Sequence, residues 1–138
     1  MNKQCFESYL EENDRLVYRN TGTSMLPLLK QGRDFFIVEK VNNRPLKKYD
    51  VVLYKRKPDR YVLHRIIKIE NGNYVIMGDN CINKEYGITD NDIIGVMTGY
   101  IRKGRQHSTS EFFYKLYSVC HCAFSPLRIL LFRVRSSL

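Results

Sequence analysis

Four side chains in this sequence are of types that together perform nucleophilic chemistry: Ser24, His64, Asp79 and Glu85. Ser24 lies in Gly22-Thr23-Ser24-Met25-Leu26-Pro27, a small-residue turn that presents a hydroxyl ahead of a proline. Leu28, Leu29 and Gly32 close a short helical turn behind it. A turn serine on its own is a capping residue. It becomes a nucleophile only beside a base that takes its proton, and His64, embedded in a β-rich stretch, has the side chain suited to that near neutral pH. Imidazole in turn needs an orienting group. Met77-Gly78-Asp79-Asn80 and the following Glu85 supply acids just after a strand, where Asp-Asn otherwise serves as turn chemistry. Nucleophile, base and acid therefore come in that order from separate strands and loops.

The elements that must position these groups are short and mostly extended. Apolar, β-branched or aromatic runs at Leu16–Arg19, Phe35–Lys40, Val51–Lys55, Tyr61–Glu70, Asn73–Met77 and Ile93–Ile101 are separated by turn residues, with Asn71-Gly72 a strong hairpin signal. The pattern predicts a mainly β, antiparallel domain. Within Tyr61–Ile69, alternation puts Val62, His64, Ile66 and Lys68 on one face and Leu63, Arg65 and Ile67 on the other. From Asn2 to Asp14, Cys5, Phe6, Tyr9 and Leu10 fall at helical spacing among acids and predict a short amphipathic helix.

At 138 residues with 43% hydrophobic content, the chain has room for one domain with a real core. Its net charge of +9 is uneven: the last 39 positions hold seven basic residues and one acid. Lys103–Ser110 reads as a linker, giving a domain over residues 1–103 and a basic amphipathic helical tail over 104–138. Residues 110–135 are too interrupted by Pro126 and basic residues to span a bilayer. Two placements remain for them: in the interface of an anionic membrane surface, or packed as a core or lid helix. Acids at Glu7, Glu11, Glu12 and Asp14 exclude a secretory leader, so the expected location is cytoplasmic or peripheral to a membrane. Cys5, Cys81, Cys120 and Cys122 match no zinc-ribbon spacing and read as reduced, small, buried hydrophobes. Lys55-Arg56-Lys57-Pro58-Asp59-Arg60 reads as a solvated hairpin edge rather than a nucleic-acid interface.

Ser24-Met25-x-Pro27, Leu46-x(3)-Asp50-Val51-Val52, His64-Arg65-Ile66, Gly78-Asp79-Asn80 and Ile93-Ile94-Gly95-Val96 occur in the order and approximate spacing of the signal peptidase I clan. The chain resembles that clan's histidine-bearing branch, found in the endoplasmic reticulum, archaea and some spore-forming bacteria, over about Thr21 to Ile101. The resemblance implies a compact β domain of the signal peptidase type and a serine endopeptidase acting on a peptide or protein substrate such as an exported precursor, with no cofactor or metal. It implies Ser24 as nucleophile, its backbone N–H in the oxyanion hole, His64 as general base and Met25 and Pro27 as substrate-binding residues. The orienting acid falls at Glu85, where the family more often has aspartate, with Asp79 as the alternative. Gly22 stands where the family commonly has a serine hydroxyl as second oxyanion donor, leaving Thr23 or Thr21 to replace it. A further reading of the same fold is a catalytically silent module that holds an extended peptide by strand addition.

Overall fold

The computed structural model describes residues 5–42, 44–56 and 60–137. The first residues of the expected Asn2–Asp14 helix and Lys57-Pro58-Asp59 lie outside the described residues. Helix α1 (Phe6–Asn13) is followed by eight strands: β1 (Arg15–Arg19), β2 (Phe35–Lys40), β3 (Val51–Arg56), β4 (Arg60–Glu70), β5 (Asn73–Met77), β6 (Glu85–Ile88), β7 (Ile93–Arg102) and β8 (Arg105–Ser108). Helix α2 (Phe112–Ser137) ends the described chain. All strand pairings are antiparallel, in the order β1-β2-β7-β3-β4-β5-β6, with β8 on the end of β7. The fold is thus mainly antiparallel β with a helix at each end.

Two departures from the sequence expectation concern strands with little apolar content. Glu85–Ile88 pairs with β5, so Glu85 opens a strand rather than sitting in a loop. The expected linker is also corrected: Arg105–Ser108 pairs with Gly99–Arg102 through a turn at Lys103-Gly104. These short strands carry few apolar residues and rest largely on backbone pairing, so no alternating pattern marks them. The Asn71-Gly72 hairpin forms as the residue types require, both residues having positive φ (50° and 78°).

The sheet buries both faces. In β3, Val51 and Leu53 join one apolar cluster with Leu10, Met25, Phe36 and Leu63, while Val52 and Tyr54 join another with Ile66, Ile76 and Val96. A strand buried on both sides reads as a continuous apolar run, which is what Val51-Val52-Leu53-Tyr54 is.

On β4 the alternation sends His64 to the second cluster's side and Arg65 to the first, where it is wholly buried. Its guanidinium meets the Asp79 carboxylate in a two-pronged pair, Nε to Oδ1 at 2.8 Å and Nη2 to Oδ2 at 2.9 Å. Nη1 donates to the Tyr49 carbonyl and to Ser118 Oγ at 2.7 Å on α2. The rings of Tyr114 and Tyr117, also on α2, lie 5.6 and 5.7 Å from the guanidinium carbon. Tyr117 donates to Asp79 Oδ2 at 2.7 Å. One face of α2 therefore packs on the β domain through this ion pair.

Removing one partner of a buried pair leaves an uncompensated charge, a loss of about 3–5 kcal/mol. Arg65→Met should lower the unfolding free energy by that amount in a urea titration. Arg65→Met with Asp79→Leu should recover part of it, because both charges then leave the interior together.

Candidate active site

Ser24, His64 and Asn80 of the Gly78-Asp79-Asn80 turn line one open groove of about 1020 Å³, with Thr21, Thr23, Arg56, Cys81 and Glu85. The approach is closest at Gly78. A Cβ there would lie 2.8 Å from the Ser24 carbonyl oxygen, 2.9 Å from His64 Cδ2 and 2.7 Å from Cys81 Sγ. Only a residue without a side chain lets the three segments meet. Asn80 then clamps the Ser24 loop, its N–H donating to the Ser24 carbonyl at 2.8 Å and its side-chain amide to the Thr23 carbonyl at 3.1 Å.

The Ser24 side chain is part-exposed in this groove, and neither its hydroxyl nor its amide N–H has a hydrogen-bond partner among the described residues. Gly22 has φ +81°, a backbone conformation in which a serine would be strained. The missing hydroxyl thus goes with a local backbone that favours glycine. Thr21 and Thr23 are exposed on the groove wall.

Met25 and Pro27, expected to bind substrate, do not line the groove. Met25 is 1% exposed, packs into the first apolar cluster and accepts the Asp79 N–H at its sulfur (3.5 Å). Pro27 is exposed outside the groove lining. Burying the apolar thioether is favourable, and Met25 anchors the Ser24 loop from beneath.

His64 is buried, at 9% exposure. Burial in the first place, then the positive charge of Arg56, hold its pKa down to about 4, against the opposing pull of Glu85 and Asp79. Its hydrogen-bond partner is neither acid. Nδ1 lies 3.4 Å from the Tyr54 hydroxyl, which also accepts from Arg56 Nη2 at 3.3 Å. Burial and then the Glu85 carboxylate push the Tyr54 pKa upward, so the phenol keeps its proton. With Arg56 donating to the Tyr54 oxygen and Glu85 favouring its proton, Nδ1 is inferred to be the donor in this contact. Nε2 is then left free to accept a proton, as a general base requires.

The two acids expected to orient His64 are engaged elsewhere. Asp79 is held by Arg65 and Tyr117, and Glu85 by Arg56 at 2.6 Å. Glu85 makes no hydrogen bond to the imidazole and acts on it by its charge and through Tyr54 and Arg56. The sequence reading missed both of these residues. A signal existed: β3 pairs with β4 so that Val52 faces His64 and Tyr54 faces Val62, placing Tyr54 diagonal to His64 on one face.

Cys81 is the other nucleophile type in the groove. Burial raises its thiol pKa above the usual value, so it is a neutral thiol at physiological pH. None of the four cysteines is fully buried, contrary to expectation; Cys5 and Cys120 are exposed and Cys81 and Cys122 half-buried. No cluster of His, Cys, Asp or Glu among the described residues has an arrangement that could hold a metal ion.

Comparison with protein-family models, with curated proteins and with solved structures finds no match.

Two outcomes follow from the geometry. Gly78→Ala drives a methyl group into the Ser24 backbone, which cannot move as a flexible side chain would, so it should cost about 1–3 kcal/mol in thermal or urea unfolding. His64 has a folded pKa of about 4, below its unfolded value of about 6.5, so the unfolded chain binds the extra proton. Its contribution to stability is full above pH 6.5 and is lost as pH falls through 4, by on the order of 3 kcal/mol. Urea titrations across that window should show a shallower loss for His64→Gln than for the parent chain.

Proposed function

We propose that this chain is a serine endopeptidase of the signal peptidase I type, cleaving one peptide bond in an exported or precursor peptide by Ser-His chemistry. The observation that carries the reading is the convergence at Gly78: the Ser24 carbonyl oxygen and the His64 ring edge each lie within 3 Å of one point beside this buried glycine, and both residues line the same open groove. Ser24 attacks the peptide carbonyl, and His64 Nε2 takes its proton and returns it to the leaving amine. The Ser24 N–H, without a partner among the described residues, is available to the developing oxyanion, where one lost donor is worth about 3 kcal/mol. Tyr54, held by Arg56 and Glu85, positions the imidazole in place of a direct carboxylate.

A second reading has its own support. Among the described residues Ser24 makes no hydrogen bond to His64, and no carboxylate touches the imidazole. Both fit a silent relative that binds a peptide in the same groove.

The two readings part in one experiment. Purified protein is treated with a peptide-like serine acylating reagent carrying a small residue before the reactive group, and labelling is read by intact mass across a range of pH. The peptidase reading expects a single adduct on Ser24, absent from Ser24→Ala and His64→Ala variants that fold as well as the parent. Labelling should rise through pH 4 and level off above it, following the depressed His64 pKa. Tyr54→Phe should keep the adduct but slow it. An unlabelled parent chain, with saturable binding of the same peptide, would establish the binding module instead.

A further inference from the structure

Helix α2 has two faces of different character. The inward face carries Tyr114, Tyr117, Ser118 and His121 onto the β domain. On the opposite side Phe113, Leu116, Phe124, Leu127, Leu131 and Val134 are 47–78% exposed and recur at intervals of three and four, with the exposed Cys120 filling the same row. Phe112, Val119 and Leu130 widen the row. At 3.6 residues per turn these positions occupy about 140° of the helix circumference, along an element about 39 Å long. That is far more continuous apolar surface than water-facing helices carry.

Charge decides what covers it. No Asp or Glu occurs anywhere in α2, while Lys115 and Arg133 border the apolar sector on one side and Arg128 and Arg135 on the other. A second copy of the helix laid along this face would bring like charges together. An anionic lipid leaflet would instead accept the aromatic and aliphatic side chains between the acyl chains and the flanking cations among the headgroups. The helix is not long and apolar enough to cross a membrane. We propose that the outer face of α2 is a docking surface for an anionic phospholipid bilayer.

The docked geometry bears on the groove. Phe132, five full turns after Tyr114 and so on the inward side of α2, lines the groove and borders a hollow with Leu127 and Leu131, and Arg128 reaches from the edge of the apolar sector to the Cys81 carbonyl at 2.6 Å. Docking therefore brings to the leaflet a helix that also contributes Phe132 to the Ser24 groove. The docking surface itself stands whether or not Ser24 is a nucleophile.

The test is flotation of the full chain with vesicles of phosphatidylcholine alone or mixed with phosphatidylserine, at low and high salt. Binding is expected only with phosphatidylserine and should weaken with salt. Leu127→Glu with Leu131→Glu, at exposed positions that leave the inward face intact, should weaken binding about tenfold or more while circular dichroism and thermal unfolding stay unchanged. Arg133→Glu with Arg135→Glu should do the same through charge alone. Failure to float with phosphatidylserine vesicles overturns the proposal. So does a concentration-dependent dimer, seen by analytical ultracentrifugation and abolished by the Leu127 and Leu131 substitutions, which would assign the face to a second copy.

Discussion

The buried Arg65–Asp79 pair is the interaction on which the rest of the arrangement depends. Two charges with almost no water contact are tolerable only when every donor and acceptor has a partner, and here the partners come from several parts of the chain, the Tyr49 carbonyl ahead of β3 among them. Arg65 brings β4, Asp79 the turn after β5, and Tyr114, Tyr117 and Ser118 bring α2. Helix α2 then grips that turn through its backbone as well, His121 donating to the Asp79 carbonyl at 2.6 Å and Arg128 to that of Cys81. Asn80, between those carbonyls, holds the Ser24 loop. A helix that resembles a dispensable tail is thus connected through one turn to the candidate nucleophile.

A different balance governs His64. Its neighbour in sequence, Arg65, is neutralised by Asp79, whereas His64 sits among Tyr54, Arg56 and Glu85 on the other face of the same strand. Period-two alternation separates the two networks by a single residue. One strand thereby delivers a fixed positive charge to the structural side and a neutral imidazole to the groove side. The Arg56 charge and burial keep that imidazole unprotonated; the Tyr54 hydroxyl fixes its orientation without adding the negative charge a carboxylate would bring.

The strand runs and the Asn71-Gly72 hairpin were legible from residue types, because apolar period and turn chemistry are local properties. Strands β6 and β8 were not, having few apolar residues and existing through backbone pairing to neighbours already in place. The alternatives for residues 110–135 were also undecidable locally. An amphipathic helix has an apolar face in either case, and only docking shows that the polar Tyr114, Tyr117, Ser118 and His121 turn inward while the leucines and phenylalanines turn out.

The sequence by itself determined the mainly β class, the hairpin and which residue types stand ready for chemistry. Tertiary structure alone decided their partners: Asp79 goes to Arg65 rather than His64, Tyr54 takes the place expected of an acid, and Met25 goes to the core rather than the groove. These choices join residues 10, 14 and 54 positions apart. They are set by which charges and hydroxyls share a buried space, where an unpaired polar group is costly, and that competition is settled only once the strands have stacked side by side.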